Sequence, residues 1–89
     1  MNSKPLIQLR REIDAIDRAI IQLWAKRVDI ARAIGMRKRV AMLPLKDEQR
    51  ERRVVARAVL LGGNLRLPLS KVRALMNIII ATSRRAQKQ

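Results

Sequence analysis

Arg27 stands where an apolar residue belongs. Leu6, Leu9, Ile13, Ile16, Ile20 and Leu23 recur in steps of three and four, the spacing of one helix face. The next step lands on Arg27, and the pattern resumes at Ile30 and Ile34. A guanidinium keeps its proton and is costly to bury without a partner. Either the helix is open to solvent at Arg27, or an anion meets it there. Lys38 follows 11 residues later, about 20° away in rotation and roughly 16 Å along the axis, so it faces the same way. Asp47, Arg50 and Glu51 share another face through i,i+3 and i,i+4 spacing, and that face continues as Val54, Val55 and Ala58. Further on, Met76, Ile79 and Ile80 lead into Ser83 and then Gln87. Each apolar face thus ends in groups capable of directed hydrogen bonds, and together they can line one polar pocket.

Each of these residues also has an ordinary reading. A lone arginine at a helix seam usually snorkels to water. Asp47 serves equally as a helix cap. Arg50 and Glu51, beside Arg52 and Arg53, also fit a solvated charge run, and Ser83 and Gln87 fit a helix leaving the core. The joint pattern across all three faces favours a pocket. Arg10, at the seam edge, is 17 residues from Arg27, or roughly 25 Å along the helix. It cannot share a small ligand with Arg27 of its own chain, but it can reach the pocket of an antiparallel partner.

Three helices are needed to position these groups, and no repeat or low-complexity segment interrupts them. The first is expected from about Lys4 to about Val40, with Pro5 in its first turn. Gly35 reads as a tolerated interior glycine or a bend, at about 1 kcal/mol relative to Ala. Residues 42–46 form a connection. The second helix opens at Asp47, with Glu48 and Glu51 near its positive end, and stops at Gly62-Gly63. The third opens at Pro68 and runs nearly to the C-terminus. A first helix of about 35 residues spans roughly 50 Å, whereas a compact chain of this length has a radius of gyration of only about 12 Å. Its seam would face water in a monomer. The expected architecture is therefore all-α: a three-helix protomer with one very long first helix, in an intertwined homodimer, with residues 1–89 as a single helical domain.

Composition narrows the chemistry. The 89 residues include no cysteine and no histidine, so thiolate chemistry and the commonest general base are absent. No zinc-finger, P-loop or dinucleotide-binding glycine spacing occurs. The opening segment MNSKPLIQLRREID carries charge where a leader would be apolar, and no apolar run reaches membrane-spanning length; the expected location is cytoplasmic. The net charge is +14, from 15 arginines and six lysines against seven acids. Such a balance favours anionic partners without choosing among nucleic acid, membrane surface and small polyanions. Trp24 is the single aromatic residue, which argues against base stacking as a recognition mode.

From about Pro5 to Gln87 the chain resembles the all-helical, AroQ-type chorismate mutases. The resemblance rests on LRREIDAID at Leu9–Asp17, AKR at Ala25–Arg27, IGMRK at Ile34–Lys38, LPLKDEQRERR at Leu43–Arg53, and Ser83 with Gln87 four residues on. Each piece is weak alone; their order and spacing are specific. The resemblance implies an intertwined dimer with two equivalent sites. It also implies the rearrangement of chorismate to prephenate in phenylalanine and tyrosine biosynthesis, an isomerisation requiring no cofactor, metal or covalent intermediate.

The same resemblance assigns roles. Arg27, with Arg10 of the partner subunit, is expected to bind the substrate carboxylates. Lys38 is expected to donate to the ether oxygen and help with a carboxylate, and Gln87 to donate its amide to that oxygen. Glu51 is expected to accept from the ring hydroxyl, aided by the backbone near Asp47. Arg50 would shape the polar wall, and Ser83 would meet a carboxylate or the pocket edge. An isochorismate pyruvate-lyase or an aminodeoxychorismate mutase on the same fold is an alternative. The intact Asp47–Glu51 segment and Ser83 favour the chorismate mutase over the lyase. A basic nucleic-acid-binding protein would explain the charge, but not cations and a glutamine on buried faces. With Arg10, Arg27, Lys38 and Arg50 only four of the 21 cations are assigned, and steering of dianionic substrate together with compositional bias accounts for the rest. No regulatory domain is expected within this chain.

Overall fold

The structure, a computed structural model, describes residues 3–89. Residues 1–2, part of the opening segment and of the expected 1–89 domain, lie outside the described residues. Three helices account for nearly all of it: α1 (Leu6–Val40), α2 (Glu48–Asn64) and α3 (Leu69–Gln87), with no strand among the described residues. α1 begins two residues later than expected, with Pro5 as its extended N-cap. Proline disfavours helical backbone in the residue before it, so Lys4 is excluded.

Both interhelical turns are Schellman motifs built on residues other than glycine. After α1, Met42 adopts φ 56°, and Leu43 N–H closes back on the Lys38 carbonyl at 2.8 Å. After α2, Arg66 adopts φ 60°, and Leu67 N–H reaches the Gly62 carbonyl at 2.9 Å. The expected stop at Gly62-Gly63 is thus corrected, since both glycines are helical and the chain turns at Arg66. Gly62 serves close approach instead: a Cβ there would lie 2.8 Å from a Val72 methyl on α3.

α3 is the central element. It packs on α1 along one side and on α2 along the other, while α1 and α2 do not approach each other directly. The face that α1 presents to α3 differs from the expected seam. Ala31 and Gly35 are buried, with Trp24, Arg27, Val28 and Lys38 half-buried beside them, whereas Ile30 and Ile34 stay exposed. Small residues let the α3 backbone come close, and close approach decided the contact over side-chain hydrophobicity. Gly35 is accordingly more than a tolerated glycine. Its missing Cβ would collide with the Gln87 backbone, lying 2.7 Å from the Gln87 Cα.

The resulting body is elongated, 56 × 23 × 14 Å, with a radius of gyration of 16.6 Å. Its core is small: Ala31, Val55, Ile80 and Ala86, together with the hydroxyl-bearing Ser83. The N-terminal half of α1 is largely uncovered: Leu6, Ile13, Ile16, Ile20 and Leu23 are all more than half exposed. Among the described residues, no helix is long and apolar enough to cross a membrane.

Candidate active site

The C-terminal half of α1, the start of α2 and the end of α3 converge on a cavity of about 380 Å³. Arg27 and Lys38 enter it from α1. Asp47, Arg50 and Glu51 come from the start of α2, and Ser83, Arg84 and Gln87 from α3. Ile30, Ile34, Val54 and Ile80 supply apolar walls. Seven of the eight residues singled out by the sequence therefore meet. Arg10 does not; it lies exposed on the N-terminal half of α1.

Arg27 is half-buried, and its Nη1 donates to the buried Ser83 hydroxyl. One of five guanidinium donors is so used, and the group lines the cavity. Lys38 Nζ donates to the Leu45 carbonyl at 2.7 Å and to Gln87 Oε1 at 3.2 Å. An ammonium only donates, so it turns the oxygen of the Gln87 amide towards itself. The amide N–H₂ remains the half able to donate elsewhere, and the third ammonium proton is likewise uncommitted.

Gln87 is held from below. Arg39 Nη1 donates to its carbonyl, Arg39 Nη2 reaches the Gln89 carbonyl at 2.9 Å, and Arg32 Nε reaches Gln89 Oε1 at 2.8 Å. Together with the Gly35 contact, these fix the end of α3 on α1. Asp47 is the N-cap of α2, accepting from the Arg50 backbone N–H at 3.0 Å. Capping and cavity lining are therefore the same placement. The Arg50 side chain is exposed at the rim, and among the described residues it has no hydrogen-bond partner.

Glu51 is half-buried and grasped by Arg84 through both oxygens. Nε donates to Oε2 at 3.0 Å, and Nη2 donates to Oε1. That hydrogen bonding holds the Glu51 carboxyl below its ordinary value; partial burial opposes the shift, and the charges of Arg84 and Lys46 reinforce it. Glu51 in turn raises Arg84. Sequence reasoning missed Arg84, although a signal existed: it follows the buried Ile80 by four residues, which is the displacement that exposed Arg27 as anomalous. The cavity lining thus holds four cations, Arg27, Lys38, Arg50 and Arg84, against the two carboxylates of Asp47 and Glu51. This excess suits a dianionic ligand. Among the described residues, no group of three or more His, Cys, Asp or Glu side chains is placed to hold a metal ion.

A second, larger depression of about 860 Å³ lies between α2 and α3. Its floor is apolar, with Val55, Ala56, Val59 and Ile80, and the Glu51–Arg84 pair borders both spaces.

A family model described as chorismate mutase type II matches residues 9–88. The bifunctional chorismate mutase/prephenate dehydratase of Escherichia coli strain K12 is 32% identical over 82 residues, covering 92% of this chain and 21% of that protein. The enzyme of the same description from Enterobacter agglomerans is 29% identical over 79 residues. The chain thus spans about a fifth of the length of these curated relatives. A solved structure described as a conserved hypothetical protein from Pyrococcus furiosus superimposes with a TM-score of 0.74 at 37% identity, covering 97% of this chain and 99% of that one.

Proposed function

The chain belongs to the chorismate mutase type II family, and on that premise we propose that it converts chorismate to prephenate, an isomerisation feeding phenylalanine and tyrosine synthesis. The observation carrying this reading is the gathering of Arg27, Lys38, Glu51, Ser83 and Gln87 from three helices around one cation-rich cavity. The reaction is unimolecular. It needs the enolpyruvyl arm folded over the ring, and two carboxylates give cationic clamps a hold on that conformer. Arg27, already oriented by Ser83, takes one carboxylate. Lys38 and the Gln87 amide have uncommitted N–H groups to place against the ether oxygen. Negative charge develops there as the C–O bond breaks, so these donors stabilise the transition state more than the ground state. Glu51 accepts from the ring hydroxyl, Asp47 presents the adjacent backbone, and Arg50 closes the rim.

The second carboxylate falls to Arg10 of the partner subunit, in an intertwined homodimer. Two features support this assembly: an uncovered apolar seam on the N-terminal half of α1, and an apolar-floored depression between α2 and α3 able to receive a helix. In this reading residues 1–89 act as one helical domain in the cytoplasm, needing no metal or cofactor. The test is turnover of chorismate with the product identified by chromatography. Prephenate is expected from the wild-type chain, with a loss of at least about 10²-fold in Lys38→Ala. An inert wild type, or pyruvate released from isochorismate in its place, would overturn the proposal.

A further inference from the structure

The Glu51–Arg84 pair bears on which substrate the cavity takes. This inference rests on the proposed function, in which Glu51 receives the ring substituent. Both Glu51 oxygens are engaged by one guanidinium, Nε to Oε2 at 3.0 Å and Nη2 to Oε1. A carboxylate has about four lone-pair sites, so Glu51 still has room to accept another hydrogen bond. The acceptor that the ring substituent meets is nevertheless no longer a bare anion. It is half of a fork-shaped pair with no net charge.

The charges of Lys46 and Asp47 also act on Glu51, in opposite directions, while the other charges nearby hold other partners or sit apart. Lys38 is tied to Leu45 and Gln87, Arg27 to Ser83, and Lys46 to Glu48 at 3.1 Å. Asp47 caps α2, and Arg50 lies exposed at the rim. Arg84 is therefore the cation in direct contact with Glu51.

We infer that Arg84 is a specificity-determining residue, which by gripping Glu51 makes this subsite one for a neutral hydroxyl and against a protonated amine. A hydroxyl donates one hydrogen bond to the paired carboxylate and brings no charge. A primary amine in the same position enters as an ammonium at neutral pH. It must shed water beside a guanidinium, at a carboxylate whose charge is already spent. Chorismate is therefore the favoured substrate, and its analogue with an amine in place of the ring hydroxyl is disfavoured.

The experiment compares kcat/KM for these two substrates at neutral pH in the wild type, Arg84→Met and Arg84→Lys. The wild type should prefer the hydroxyl by at least about tenfold, the order that one pair of like charges a few ångströms apart generates under partial screening. Arg84→Met should shrink that preference by a similar factor, and Arg84→Lys should retain most of it. A purely structural role for Arg84 would lower both substrates together and leave the ratio alone. Arg84→Gln gives the same readout if the methionine variant misfolds. An unchanged ratio in the charge-free variants, with chorismate still turned over, overturns the inference and leaves the proposed function standing. A wild type inert toward both substrates overturns the proposed function, and this inference with it.

Discussion

The two halves of α1 meet opposite fates, not along the apolar seam, which stays exposed in both (Ile30 at 52%, Ile16 at 54%), but on the small-residue face that only the C-terminal half offers to α3. In the C-terminal half, Ala31 is 3% exposed against α3, and Arg27, Lys38, Arg39 and Arg32 each find a hydrogen-bond partner on α3 or at its end. In the N-terminal half, Ile16 is 54% exposed, and its neighbours along the seam are similar. Hydrophobic spacing therefore shows that a face exists, but not what covers it. The C-terminal half is covered from within the chain because Ala31 and Gly35 admit a backbone. The N-terminal half carries bulky isoleucines and leucines, and an exposed apolar stripe of this length calls for another surface.

Charging the uncovered half should have the largest effect. Replacing Ile16 and Ile20 with aspartate should leave the site's own side chains in place yet reduce the particle from the proposed dimer to a monomer. Activity should fall by at least about 10²-fold as the partner's contribution is lost. Sedimentation alongside the chorismate assay checks both outcomes. A monomeric variant with full activity would show that the halves do not cooperate.

In the covered half the telling change is the smallest possible one. Gly35→Ala places a methyl against the Gln87 backbone and should lower kcat by about a hundredfold, the scale of a misplacement near 1 Å, with a lesser effect on KM. Gln87→Glu should retain activity mainly at acid pH, because only the protonated acid donates. Its rate should therefore fall as pH rises through that group's titration, and a pH-independent rate would remove Gln87 from the ether oxygen.

A smaller effect lies in stability. Glu51 is depressed in the folded state by Arg84, so it stabilises the fold fully above the ordinary value of 4.5. That contribution is lost as pH falls through the lower folded value. Thermal melting should show Arg84→Met less stable than the wild type at neutral pH, with the gap narrowing in acid. A gap that persists there would assign the loss to something other than this pair.

Much of the site was legible because charged and amide groups at apolar positions violate the helical pattern. Arg27, Lys38, Ser83 and Gln87 broke it visibly. Arg84 broke it too, but it stands beside Arg85 and reads as part of a charged helix end. The three helices were legible from periodicity and proline. The glycines were misread because a string of letters marks conformational freedom and close approach identically. Gly62 and Gly35 are there for neighbouring helices, while Met42 and Arg66 make the left-handed turns that glycine usually makes.

In the proposed dimer, Arg10 on the exposed half of one chain serves the cavity of its partner. Arg10→Ala and Arg27→Ala should each be nearly inactive alone. Unfolded together and reassembled, they should recover about a quarter of wild-type activity, since half the dimers are mixed and each mixed dimer holds one intact site of two. Activity no greater than that of the separate variants, in a sample verified to contain mixed dimers, would contradict that role.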